Sequence, residues 1–166
     1  MADLALYTIT RVLHIATAVV LVGGTFFVRF VLLPAAAANL PDELHAKLRG
    51  AITASWKMLV YLGIALFIIT GGINYYRVIA LGSHKGDALY HALLGSKIIL
   101  ALVVFFIASA LVGRSRAFEG MRHQSRRWLT INLVLAGVIV AVSGFLKVRD
   151  VPSVKPAVAS ASAPTR

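Results

Sequence analysis

The chain has 166 residues, 59% of them hydrophobic and only 14% charged, with a mean hydropathy of +0.84. Water-soluble domains carry roughly a quarter charged residues, so this much apolar surface calls for lipid as the solvent. The formal charge is +11 and there is no cysteine, which excludes a disulfide framework, a cysteine zinc site, an iron–sulfur cluster and a thiol nucleophile.

Four segments have the length and composition to cross a hydrocarbon core, which takes about 20 helical residues. The first, residues 6–33, contains Arg11, His14 and Arg29 but no acid. A polar stretch follows from Asn39 to Ser55, opening with Pro41-Asp42-Glu43; it is expected to be a loop with room for a short interfacial helix through Leu44 and Leu48. The second span, 57–81, carries Arg77 near its end, and residues 82–87 form a short turn. The third span, 88–112, holds His91 and Lys97. Residues 113–127 are a basic loop in which Arg114, Arg116, Arg122, Arg126 and Arg127 face only Glu119. The fourth span, 128–148, is uncharged until Lys147.

Inside lipid every peptide group needs an internal partner, so the spans are helices. The predicted fold is all-α: an integral membrane antiparallel four-helix bundle over residues 1–150. The tail, 151–166, is Pro, Ala, Ser and Val without periodicity and reads as disordered. The first apolar segment is too long, and too poor in a basic leader, for a cleavable signal peptide. Basic residues concentrate on the first- and third-loop side, which predicts a multi-pass protein with both termini away from the cytoplasm. Trp56 and Trp128 mark the cytoplasmic interface and Tyr7, Tyr75, Tyr76 and Tyr90 the outer one. The cations flank spans instead of forming one face with interleaved aromatics, so anionic headgroups explain them and nucleic acid does not.

Each span carries a small or polar stripe at helical spacing, among them Thr10, Thr17 and Thr25 on the first, Thr70, Gly71 and Asn74 on the second, Gly95 on the third, and Asn132, Ala136 and Ser143 on the fourth. Close packing, with hydroxyls bonding across the helix seam, accounts for most of them. His14 and His91 are different in kind. An ionisable group inside a span normally faces the interior with a partner, and in an antiparallel bundle both histidines fall in the outer half. Two neutral imidazoles from different helices suit a six-coordinate haem, and they also suit copper. Gly71 and Gly95 leave room for a flat macrocycle, and Arg11 and Arg77 are placed to meet propionates. The opposing constraint is depth: His14 is about 7 Å deeper than His91 at 1.5 Å per residue, a gap that helix tilt has to close. Lys97 lies near mid-span with no Asp or Glu in any span to neutralise it; a carbonyl, Asn74 or an anionic ligand is needed, or else it stretches toward an interface. His45, His84 and His123 read as solvated loop residues.

Three blocks carry a likeness to known families: Leu13-His14-Ile15 with Val22-Gly23-Gly24-Thr25-Phe26; Tyr90 to Lys97 running into Ile98-Ile99-Leu100; and Arg126-Arg127 leading a helix that ends Val142-Ser143-Gly144-Phe145-Leu146, with Pro152 after it. Over residues 10–152 the chain resembles the copper-resistance protein D family of bacterial inner-membrane proteins and its relatives, the four-helix haem-binding protoporphyrinogen oxidases. The resemblance implies a place in the bacterial inner membrane and either copper handling or haem-linked redox chemistry.

The residues favour one haem b near the outer face, held by His14 and His91 and serving electron transfer or oxidation, with a quinone or a redox protein as partner. Copper transport is the alternative. Soft ligands would help it, and only Met1, Met58 and Met121 are present, none in the outer half of a span. A third reading is a non-catalytic subunit packed into a larger membrane complex. No acid–base triad stands in the spans, which argues against hydrolysis.

Overall fold

The computed structural model describes residues 2–81 and 87–149. Most of the expected 82–87 turn and the whole 151–166 tail lie outside the described residues. Helix α1 (Ala2–Phe27) passes through a π-helical turn (Val28–Leu32) into α2 (Leu33–Asn39); α3 spans Asp42–Leu81 and α4 Ala88–Val112; a 3-10 turn (Arg116–Phe118) leads to α5 (Glu119–His123) and then to α6 (Ser125–Arg149). Four stretches are long and apolar enough to cross a membrane: Leu4–Asn39, Asp42–Val78, Ala88–Val112 and Ser125–Arg149. The protein is an all-α, multi-pass membrane four-helix bundle.

Two elements run further than the sequence suggests, each for a local reason. Pro34 inside a continuous α-helix would clash with the carbonyl four residues back. The π turn relieves this: the Leu33 N–H reaches Val28 O, five residues back. The first span therefore continues to Asn39 instead of stopping near Leu33. The same turn directs Arg29 at α6, where its Nε donates to Arg126 O at 2.9 Å and Thr130 Oγ1 at 3.0 Å.

The second difference lies in the 39–55 stretch. Leu40 is extended (φ −117°, ψ 143°), the conformation favoured before a proline, and the chain is helical again from Asp42. Asp42 and Glu43 sit in the first turn of α3, where carboxylates complement the helix dipole. No loop intervenes before the second span. The 40 residues of α3 measure roughly 60 Å, about twice a hydrocarbon core, so its first turns project beyond the membrane at the basic end of the bundle. At the other end, Asp87 caps α4 by accepting from Tyr90 N at 3.0 Å and binds Arg149 of α6 at 2.8 Å.

The helices form a ring in which α1 packs on α3, α3 on α4 and α4 on α6, and a lighter α1–α6 contact closes the circle. Along the α1–α3 seam Thr10 meets Asn74, His14 meets Thr70 and Leu21 meets Gly63. Each step up one helix equals the step down the other, the signature of an antiparallel pair in fixed register. Polarity is inverted relative to a soluble bundle. Val19, Met58, Ile99 and Val140 are exposed, while Thr10, Thr17, Thr70, Asn132, Ala110 and Ala136 are buried. Lipid removes the need to hide large apolar groups, and small residues let the backbones approach.

Two glycines on α1 and α3 are holes for specific knobs. A Cβ on Gly24 would lie 2.1 Å from Trp56 Cη2, and one on Gly63 would lie 2.3 Å from Leu21 Cδ1. Trp56, expected as an interfacial anchor, is thus also a packing residue. Gly24→Ala must displace a rigid indole, at a cost of about 1–3 kcal/mol. Gly63→Ala meets only the flexible tip of Leu21 and costs less. Thermal unfolding in detergent should rank the midpoints as wild type, then Gly63→Ala, then Gly24→Ala; Gly72→Ala, with open space at its Cβ, should not fall below wild type.

Candidate functional site

The α1–α3 register buries Thr70 almost completely, at 2% exposed, and places it 2.8 Å from His14 Nδ1. Thr70 Oγ1 also lies 2.6 Å from Leu66 O. A hydroxyl has one proton, and a carbonyl can only accept, so Thr70 donates to Leu66 and accepts from His14. Nδ1 therefore carries the hydrogen, and the neutral ring has its lone pair on Nε2. The ring is held edge-on to Phe67 at 4.8 Å between centroids, and Phe67 stacks on Phe105 of α4 at 5.6 Å. Gly71 lies beside the ring, and a Cβ there would make only an ordinary contact, 3.8 Å from His14 Cε1. The imidazole is thus half-buried, with one ring nitrogen committed to Thr70 and the ring packed against Phe67.

Two cations gather on Tyr7, toward the start of α1, and a third interacts with His14 itself. Arg11 donates to Tyr7 Oη, and the Arg11 and Arg77 guanidinium carbons lie 5.5 and 5.6 Å from the centre of the Tyr7 ring. A single tyrosine thus collects two positive charges through its π face. Lys97 is half-buried and interacts electrostatically with both His14 and Arg11. Because α1 and α4 are diagonal in the ring of helices, that interaction crosses the bundle interior. Among the described residues Lys97 has no hydrogen-bond or ion-pair partner. Asn74, suggested as a partner for it, instead comes within 3.4 Å of Thr10 Oγ1.

His91 is elsewhere. It is exposed on the first turn of α4, its ring edge-on to buried Tyr90 at 5.8 Å. Gly95, on the same helix, has open space at its Cβ. The two histidines differ in environment: His14 is fixed on the helix seam and His91 is exposed at the bundle surface. Among the described residues no group of three or more His, Asp or Glu is gathered as a metal site.

Several polar residues have simpler partners than expected. Thr17, Thr25 and Ser143 return their hydroxyls to Leu13 O, Leu21 O and Ile139 O of their own helices at 2.8, 2.7 and 2.6 Å, so they do not bond across the seam. Two polar atoms are buried without a hydrogen-bond partner among the described residues, Asn132 Oδ1 and His45 Nε2. His45 is therefore not the solvated loop residue its polar surroundings suggested, whereas His123 is exposed and 3.8 Å from Glu119. His84 lies outside the described residues. The burial of His45 was hidden by the assumption of a loop over 39–55; reading Pro41-Asp42-Glu43 as a helix start would have put it on a helix face.

Neither a family model, a curated protein nor a solved structure matches the chain.

The His14–Thr70 bond can be tested directly. Thr70→Val removes the acceptor and leaves a buried imidazole N–H unsatisfied, at a cost of about 1–3 kcal/mol. The thermal midpoint in detergent should fall in Thr70→Val and be largely kept in Thr70→Ser, which preserves the hydroxyl.

Proposed function

We propose that the protein is a membrane-embedded haem b protein, serving one-electron transfer at the end of the bundle that holds His14, with a quinone or a redox protein as the exchanging partner. The observation that carries this reading is the His14 ring: its Nδ1 is committed to Thr70, and its Nε2 has the lone pair that an iron ligand requires. The residues present fit such a group in donor chemistry. One imidazole is already in its ligating tautomer, and the neighbouring cations, Lys97 and Arg11, suit the two carboxylates that a haem brings.

When bound, a haem supplies a one-electron couple that the side chains alone lack. The rest is work for this chain. Thr70 fixes the imidazole tautomer and orientation, as outer-shell partners of ligating histidines do. Phe67 and Phe105 keep water from the ring. Lys97 and Arg11 hold anionic groups and, by their charge, favour the reduced over the oxidised centre. His91 is the candidate for a second ligand; its exposed position on α4 means that this role requires α4 to turn or tilt. The resemblance of the His14 and Tyr90–Lys97 blocks to haem-binding four-helix proteins supports the same reading. The same resemblance carries placement in a bacterial inner membrane, and the concentration of cations at the opposite end favours both termini lying outside.

The decisive measurement is the reduced-minus-oxidised optical spectrum of the purified protein, with metal analysis of the same sample. The expected result is an α band on reduction that disappears in His14→Ala, and that weakens in Lys97→Gln through lower haem retention. Loss of the band in His91→Ala as well identifies the second ligand. A colourless protein that retains copper favours copper handling, and a colourless protein with neither leaves the structural-subunit reading.

A further inference from the structure

At the end of the bundle away from His14, the projecting first turns of α3 meet the α5–α6 junction around a cavity of about 310 Å³. Its lining includes Arg49 and His45 from α3, His123 from α5, and Arg126 and Arg127 from the start of α6, with Leu33 of α2 as an apolar wall. Among the described residues no Asp or Glu lines it, and the nearest carboxylate on this turn, Glu119, stands 3.8 Å from the lining residue His123. Three of these groups are permanent guanidinium charges. Like charges gathered around one space repel unless something negative sits between them.

The five basic side chains are not equally committed. Arg49 Nη2 donates to Arg122 O at 3.0 Å and also to Ser125 Oγ, which ties α3 to the α5–α6 turn and fixes the floor of the cavity. Arg122 in turn donates to Gly113 O at 3.3 Å, anchoring that turn to the end of α4. By contrast, the Arg126 and Arg127 side chains are exposed and have no hydrogen-bond or ion-pair partner among the described residues, and His45 Nε2 is buried without one. The scaffold is thus held by one set of donors, and a second set is left over, pointing to a ligand rich in acceptor oxygens.

We propose that this cavity is a binding site for a phosphate group, and that the residues around it recognise a phosphodiester or phosphomonoester through Arg126 and Arg127 with Arg49 and His45 behind them. Guanidinium forks match phosphate oxygens in pairs, which a carboxylate offers only once. The position is interfacial: α2 and the first turns of α3 emerge from the hydrocarbon there, and Leu33 gives the cavity an apolar side. An anionic lipid presents its phosphate at this level, with its acyl chains running down the exposed apolar faces of the helices. Soluble phosphate offers the same oxygens without the chains. This site is independent of the haem reading and survives or fails separately from it.

The test uses the full-length protein in a neutral detergent, with native mass spectrometry and thermal unfolding as readouts. The probes are phosphatidylglycerol, phosphatidylcholine and inorganic phosphate. Arg126→Gln/Arg127→Gln removes two ligating groups that hold nothing else together. Arg114→Gln/Arg116→Gln removes the same charge from exposed positions outside the cavity lining. The expected result is a retained phosphatidylglycerol and a raised thermal midpoint in wild type, with affinity falling at least tenfold in the Arg126/Arg127 variant and no more than twofold in the control. Phosphatidylcholine should bind more weakly than phosphatidylglycerol. The same variant dependence with inorganic phosphate and not with lipid supports the site and identifies a soluble source. Equal weakening in both double variants means diffuse charge attraction and overturns the proposal, as does the absence of binding by all three probes.

Discussion

The contact between α1 and α3 sets the position of nearly everything else of interest. In lipid, helices gain nothing by hiding apolar side chains, because the solvent is equally apolar. What remains to hold a pair in register is shape and the few polar groups that find each other. Here both act along one seam. Leu21 enters the hole at Gly63, Trp56 fills the one at Gly24, and His14 closes on Thr70 beside Phe67. Sliding one helix by a single residue would put side chains against backbone at the glycines and leave the imidazole N–H unpaired. The seam therefore fixes which way the His14 ring faces and which nitrogen keeps its lone pair.

The interior follows a strict hydrogen-bond economy. Hydroxyls on α1, α3 and α6 return to carbonyls one turn back, which satisfies them without any demand on neighbouring helices. Guanidiniums at the basic end bond main-chain carbonyls: Arg49 and Arg122 take those near the ends of α5 and α4, at Arg122 and Gly113, and Arg29 adds a bond to Arg126 in the first turn of α6. Against this background the exceptions are informative. Lys97 is half-buried within a span with no ion-pair partner among the described residues, and His45 and Asn132 keep buried atoms without hydrogen-bond partners among them. A charge that the chain does not itself balance in a low-dielectric interior is costly to maintain, and it is economical only where something else balances it.

The two ends of the molecule are thus both cationic but built differently. Around His14 the positive groups are few and gathered by an aromatic face and the bundle interior. At the other end they are many, carried by a helix that outruns the membrane and by the turn that starts α6. The π turn joins these themes: by absorbing Pro34 it lets the first span reach the basic end and brings Arg29 onto α6.

Composition and the four apolar runs were enough to determine a membrane bundle of four helices, because the cost of an unpaired peptide group in hydrocarbon leaves the backbone little choice. The unusual status of His14 and Lys97 was equally legible, since an ionisable residue within a span stands out from its neighbours. The limits of the helices were less so. Pro34 and the polar 39–55 stretch suggest breaks, and whether a π turn or a helix start prevails there depends on what the next helices offer. Most dependent on tertiary structure was the partnership of His14. Sequence spacing suggests depth within a span but not rotation about its axis, and rotation, set by glycine holes on a neighbouring helix, decided that His14 turns to Thr70 while His91 stays on the surface of α4.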